Sequence, residues 1–210
     1  MKAKFSDEGS GHDWFHILRV RNSAEKIAVA EGANVEITIL AALLHDIDDH
    51  KFNGGDVKAG PIAAYNFLLS IGAKTDLAQS VADIVDQVTF KGAGVDTPVT
   101  SIEAACVQDA DRLDAIGAIG VARAFAFGGC KGRLLFDPDD VPAPHQDFES
   151  YKANKGATIN HFFEKLLLLK DRMQTNTGRA LANDRHAFMQ QFLFEFFDEW
   201  GVSRNWGGEK

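Results

Sequence analysis

The apolar positions of the chain recur at intervals of three and four almost throughout, which is the period of a helix with one buried face. Residues 13–31 carry Phe15, Leu18, Ala24, Ile27 and Ala28 as one stripe, and Gly32 stands where that helix should stop. Asn34 is placed to cap a second helix that ends near His45. Pro61 suits the first turn of a third, which reaches Leu69 and stops at Gly72. Thr75 opens a fourth, with Leu77, Val81, Ile84, Val85 and Val88 along one side, and Thr100-Ser-Ile-Glu103 reads as a capping box before a fifth. A short sixth helix is expected over residues 117–127, then two long ones over about 158–174 and 179–200. The stripe of the first runs through Ile159, Phe162, Phe163, Leu166, Leu169 and Met173, and that of the second through Phe188, Phe192, Phe196 and Trp200. The Phe-rich stripe reads most simply as core or a helix–helix interface. No alternating pattern long enough for a β-strand interrupts this rhythm, so the expected fold is all-α, one domain over residues 1–210.

One segment departs from it. Residues 128–147 hold Gly128, Gly129, Gly132, Pro138, Pro142 and Pro144, too many breakers for a helix. A structureless loop of that length is uncommon in a compact domain and is often a lid; the alternative is a surface excursion between a core at about 11–127 and the C-terminal helices at about 158–200.

Composition narrows the function. The 210 residues are 45% hydrophobic, enough to bury a core, and the formal net charge of −8 argues against general binding to nucleic acid. Two cysteines, Cys106 and Cys130, have neither disulfide-framework nor zinc-knuckle spacing, which suits a reducing cytoplasm. The first eight residues turn acidic where a signal peptide would need an apolar run, and no stretch approaches the roughly 20 apolar residues of a membrane span.

The chemistry is concentrated in a few helical positions. His45-Asp46 closes the apolar run Ile37–Leu44, where a buried carboxylate is costly unless a cation offsets it. His12 and His16 lie four apart on the first helix, so either could be a metal ligand. Asp109 and Asp111 lie two apart on the fifth and point about 200° away from each other, so only one can easily reach the same ion. Two imidazoles and two carboxylates suit Mn²⁺, Fe²⁺, Co²⁺, Ni²⁺, Zn²⁺ or Mg²⁺.

The segments Gly11-His-Asp-Trp-Phe-His-Ile-Leu-Arg-Val20, Leu44-His-Asp-Ile-Asp-Asp-His-Lys-Phe52, Gln108-Asp-Ala-Asp-Arg-Leu-Asp-Ala-Ile-Gly-Ala-Ile-Gly120 and Asn160–Met173 resemble the HD-domain superfamily of metal-dependent phosphohydrolases, over about residues 11–201. They are most similar to a bacterial group of small HD hydrolases, some of which are described as manganese-dependent nucleotide pyrophosphohydrolases. The resemblance implies an HD-type helical bundle and metal ligands at His16, His45, Asp46 and Asp111. HD proteins with two metals add histidines between the His-Asp pair and the last aspartate. Here His50 alone lies in that interval, which implies one divalent ion, with Mn²⁺ the leading candidate.

Asp49, three residues past Asp46, is placed to orient or deprotonate the attacking water, where single-metal HD nucleotidases often carry a glutamate. His50 is the second candidate, as acid toward the leaving group. Lys51, Arg112, His161 and Lys165 are the cations that could hold phosphates; Arg112 could instead brace the metal ligands. The expected activity is hydrolysis of a nucleoside triphosphate to monophosphate and pyrophosphate by a cytoplasmic enzyme, for which a homodimer is compatible. A 5′-nucleotidase-type phosphomonoesterase is the alternative within the class, and a non-catalytic nucleotide-sensing module the alternative outside it.

Overall fold

The protein is described by a computed structural model over residues 13–48, 58–88, 97–142 and 156–202. The secondary structure among these residues is helical: α1 Trp14–Glu31, α2 Val35–Leu44, α3 Ala59–Ser70, α4 Thr75–Val88, α5 Ile102–Asp114, α6 Gly117–Cys130, α7 Asn160–Glu164, a 3-10 segment Leu166–Arg172, and α8 Asn176–Trp200. No single helix among them is long and apolar enough to cross a membrane.

The chain forms two compact units. Among the described residues the first comprises 13–48, 58–88, 97–112 and 174–178; the second comprises 113–142, 156–173 and 179–202. In the first unit α1 packs on α2, α2 on α4 and α3 on α4. Its core is Ile17, Val20, Ala24 and Ile27 of α1, Ala41 and Ala42 of α2, Leu68 of α3, Val81 and Val85 of α4, and Val107 and Ala110 of α5. Helix ends follow local chemistry. Gly32 closes α1 in the left-handed conformation at φ 71°, and the Asn34 side chain accepts from Ile37 N at the start of α2. The cap of α5 is Ser101, which accepts from Ala104 N, and not Thr100. Glu103 instead accepts the backbone N–H of Asn34, a bond that draws its pKa down.

The second unit differs from expectation in three ways. The helix expected over 158–174 is broken at Lys165, whose φ and ψ are −144° and −58°, and continues as the 3-10 segment. A three-residue period sets Leu166 and Leu169 on one buried line. On α8 the buried line is Ala182, Met189, Leu193 and Phe197, about one residue around from the expected stripe, leaving Phe188 and Trp200 exposed. Phe192 and Phe196 still stack at its edge, against Phe162 and Trp200. Third, α6 runs through Gly128 and Gly129 to Cys130 rather than ending before them. Gly128 is there for space: a Cβ would collide with the hydroxyl of Thr158. Of the expected lid, residues 143–147 lie outside the described residues.

Candidate metal centre

The first unit brings together side chains from three helices. Asp13 caps α1, its Oδ1 accepting from His16 N at 2.8 Å, and so fixes the turn that carries His16. His16 is 1% exposed on the same face as Ile17 and Val20, whereas Phe15 of the expected stripe turns to solvent. His45 follows α2 in helical conformation (φ −57°, ψ −33°). Its Nδ1 lies 2.8 Å from the Ala42 carbonyl, which can only accept, so Nδ1 carries the proton and Nε2 points away. That nitrogen is buried and makes no hydrogen bond among the described residues. Asp111 stands on α5.

The polar atoms converge. His16 Nε2 lies 3.4 Å from Asp46 Oδ2 and 3.6 Å from Asp111 Oδ1; His45 Nε2 lies 3.4 Å and 3.8 Å from the same two oxygens. These gaps exceed good hydrogen bonds. Two donors at about 2.1 Å from one ion, about 90–110° apart, are separated by about 3.0–3.4 Å. One ligand atom each from His16, His45 and Asp111 falls within a 4.8 Å sphere of mutual distances, and Asp46 Oδ2 borders both imidazoles. The two Asp46 gaps reach the top of that range and the two Asp111 gaps exceed it by a few tenths of an ångström, so the donor set fits a divalent cation once Asp111 draws in slightly, and the carbonyl end of α2 adds a favourable dipole. Burial alone would lower the His45 pKa, but Asp46 first and Asp111 after it hold the imidazolium, so the value rises to about 9. In the metal-free protein, the His45 proton thus supplies part of the positive charge that a cation would bring.

Asp109 faces elsewhere. It is fully buried; its Oδ1 accepts from Gln174 N, and its Oδ2 from Thr175 N and the Thr175 hydroxyl. Burial pushes its pKa up, against those three bonds and the nearby Arg112 guanidinium. Arg112 is itself buried and donates to Thr97 Oγ1 at 2.7 Å. His161 and Lys165 lie in the second unit, joined by a bond from Lys165 N to the His161 carbonyl at 3.0 Å, with Lys165 at the break after α7. His12, Asp49, His50 and Lys51 lie outside the described residues. Sequence reasoning passed over Asp13 and the Ala42 carbonyl. An aspartate three residues before His16 is a capping signal that could have revealed the first; nothing in the residue types marks the second.

An HD-domain family model matches residues 14–116. The chain is 41% identical to YpgQ of Bacillus subtilis (strain 168) over 189 residues, 90% of this chain and 84% of that protein. The chain belongs to the HD-domain superfamily. Its fold is shared with a Lactobacillus plantarum protein (TM-score 0.81, 38% identity, 96% of this chain and 93% of that one). It is shared also with an HD-superfamily hydrolase of Bacillus thuringiensis (TM-score 0.70, 39% identity, 94% and 91%). The crystal structure of B. subtilis YpgQ in complex with ADP superposes with TM-score 0.74 at 37% identity, over 94% of each chain. HD domains bind divalent metals, and His16, His45 and Asp111 of this HD chain present three ligand atoms to one point.

Proposed function

We propose that this HD protein is a metal-dependent phosphohydrolase that cuts a nucleoside triphosphate to the monophosphate and pyrophosphate. The observation that carries the reading is the convergence of two imidazoles and two carboxylates from α1, the turn after α2, and α5, within one unit. The nucleotide part is supported by YpgQ, which binds ADP in its crystal structure.

His16, His45, Asp46 and Asp111 would hold one divalent ion, in our reading Mn²⁺. A bound ion of this kind supplies Lewis acidity toward a phosphoryl oxygen. The two carboxylates balance its two charges, so a chain of net charge −8 must offer phosphates further cations. On sequence alone, by their basic side chains and the resemblance of their segments to other HD hydrolases, we assign that part to Lys51, His161 and Lys165. Arg112, held on Thr97, fits a bracing part beside Asp111 better than a direct contact. Asp49 is the base that orients water for attack on the α-phosphorus, breaking the bond to the bridging oxygen; His50 protonates the departing pyrophosphate. The roles of Asp49, His50 and Lys51 rest on their position just after Asp46 in the sequence.

The test is a nucleotide panel assayed with Mn²⁺ for pyrophosphate and orthophosphate separately. Pyrophosphate from triphosphates, lost in Asp111→Asn, is the expected result. Orthophosphate from monophosphates alone would replace this reading with a phosphomonoesterase. Binding of ADP without turnover of any nucleotide would replace it with a sensing module.

A further inference from the structure

Asp109 spends a fully buried carboxylate two residues from Asp111 without joining the metal cluster. Its three acceptor contacts all go to the start of α8: Gln174 N at 2.8 Å, Thr175 N at 2.8 Å and the Thr175 hydroxyl at 2.7 Å. The Thr175 hydroxyl in turn accepts from Gly178 N at 2.9 Å. Gly178 is required by the same packing, because a Cβ there would run into Asp109 Oδ2 and stand 2.8 Å from Thr175 Oγ1. A second carboxylate reaches the same five residues from another helix: Glu31 Oε1, in the last turn of α1, accepts from Thr177 N at 2.7 Å. An acidic residue at a helix C-terminus opposes the helix dipole, so Glu31 is poorly explained by α1 alone. Residues Gln174–Gly178 thus bridge α5, which carries Asp111, and α1, which carries His16; Asp109, Asp111, Glu31, His16 and Gln174–Gly178 belong to one compact unit.

We infer that Asp109 and Glu31 are positioning residues: through Gln174–Gly178 they brace α5 and α1 so that Asp111 and His16 meet at one point. The inference rests on the metal reading of the cluster. Asp109 and Asp111 sit about 200° apart around α5, so the brace grips the back of the helix whose front carries the ligand. A carboxylate oxygen about 5 Å from the axis moves about 0.9 Å for a helix rotation of about 10°, and about 0.5 Å is the usual tolerance of such a site. Asparagine at position 109 keeps the shape but aims an NH₂ group at an N–H donor, so the grip is lost without opening a cavity.

The experiment is Mn²⁺ titration of the full-length, metal-stripped protein by calorimetry, with helix content followed by circular dichroism. Asp109→Asn and, independently, Gly178→Ala should weaken Mn²⁺ binding about 10–100-fold, the usual scale for residues that orient metal ligands. Glu31→Ala should weaken it less, and Glu31→Gln, which keeps the acceptor, should bind like the unaltered protein. Leu169→Ala, a buried truncation in the second unit, should lower thermal stability and leave Mn²⁺ affinity alone. Asp109→Asn and Gly178→Ala within twofold of the unaltered protein, while Asp111→Asn loses binding, would overturn the brace alone. Leu169→Ala losing as much affinity as they do would overturn it too. Asp111→Asn binding Mn²⁺ as the unaltered protein does would overturn the metal reading and the brace with it.

Discussion

Removing the Asp13 side chain tests how a helix cap serves the candidate centre. In the native chain Asp13 Oδ1 accepts from His16 N at 2.8 Å, and His16 is the third residue of α1. Asp13→Ala deletes that cap, which is worth about 1 kcal/mol in a range of about 0.5–2. It also removes a carboxylate from the positive end of the helix dipole, about 0.3–1 kcal/mol. The expected stability loss is therefore about 1–2 kcal/mol. If all of it fell on the arrangement that presents His16, metal affinity would drop about 5–30-fold, since about 1.4 kcal/mol is tenfold. It should drop less, because the same turn is pinned by Ile17, 0% exposed, whose burial is worth about 1.5–3 kcal/mol. That anchor exceeds the roughly 1 kcal/mol of the cap itself, so the turn stays formed and the affinity loss should stay below about fivefold. Asp13→Asn, an equally good cap, should recover most of the stability. Thermal unfolding without metal and Mn²⁺ calorimetry read the two effects separately. An alanine variant as stable as the parent, or an asparagine variant no better than alanine, would refute the capping argument; an affinity loss well beyond 30-fold would mean that Asp13 touches the ion.

Two further outcomes follow from the same geometry. His45 is held as imidazolium up to about pH 9 in the metal-free protein, above its ordinary 6.5. Its contribution to stability is therefore complete below about pH 6.5 and lost as pH rises through about 9, so metal-free melting temperatures should fall across that window. A saturating divalent ion should flatten the fall, and ion binding near pH 7.5 should release about one proton from this group, readable by calorimetry in buffers of different ionisation enthalpy; an unchanged pH profile with and without the ion would contradict this. Gly128→Ala gains about 1 kcal/mol of helix propensity but drives a Cβ into buried Thr158, and overpacking of about 1–3 kcal/mol should win. A lower melting temperature, restored by adding Thr158→Ala, is the expected result, and a stabilised single variant would show that Thr158 simply turns aside.

What the sequence determined by itself was what depends on neighbours within a turn or two. The ends of α1 and α2 at Gly32 and Asn34 and the start of α4 at Thr75 were legible because caps act across three or four residues. So was the helical class of the chain, and so was His45-Asp46 at the end of an apolar helix. Rotation about a helix axis was not legible, because several faces of α1, α5 and α8 carry apolar or acidic groups. Packing chose His16 over Phe15 for the buried face of α1 and turned α8 on Met189, Leu193 and Phe197 rather than on Phe188 and Trp200. The periodicity stated that Asp109 and Asp111 must face apart; only the tertiary structure shows Asp109 on Thr175 and Asp111 beside the two imidazoles. The break at Lys165 and the helical Gly128 and Gly129 escaped for the same reason. Local propensity favoured one long helix and one loop; at Gly128 the close approach of Thr158, far off in sequence, leaves room for no side chain, so a residue that reads locally as a helix breaker is there for packing.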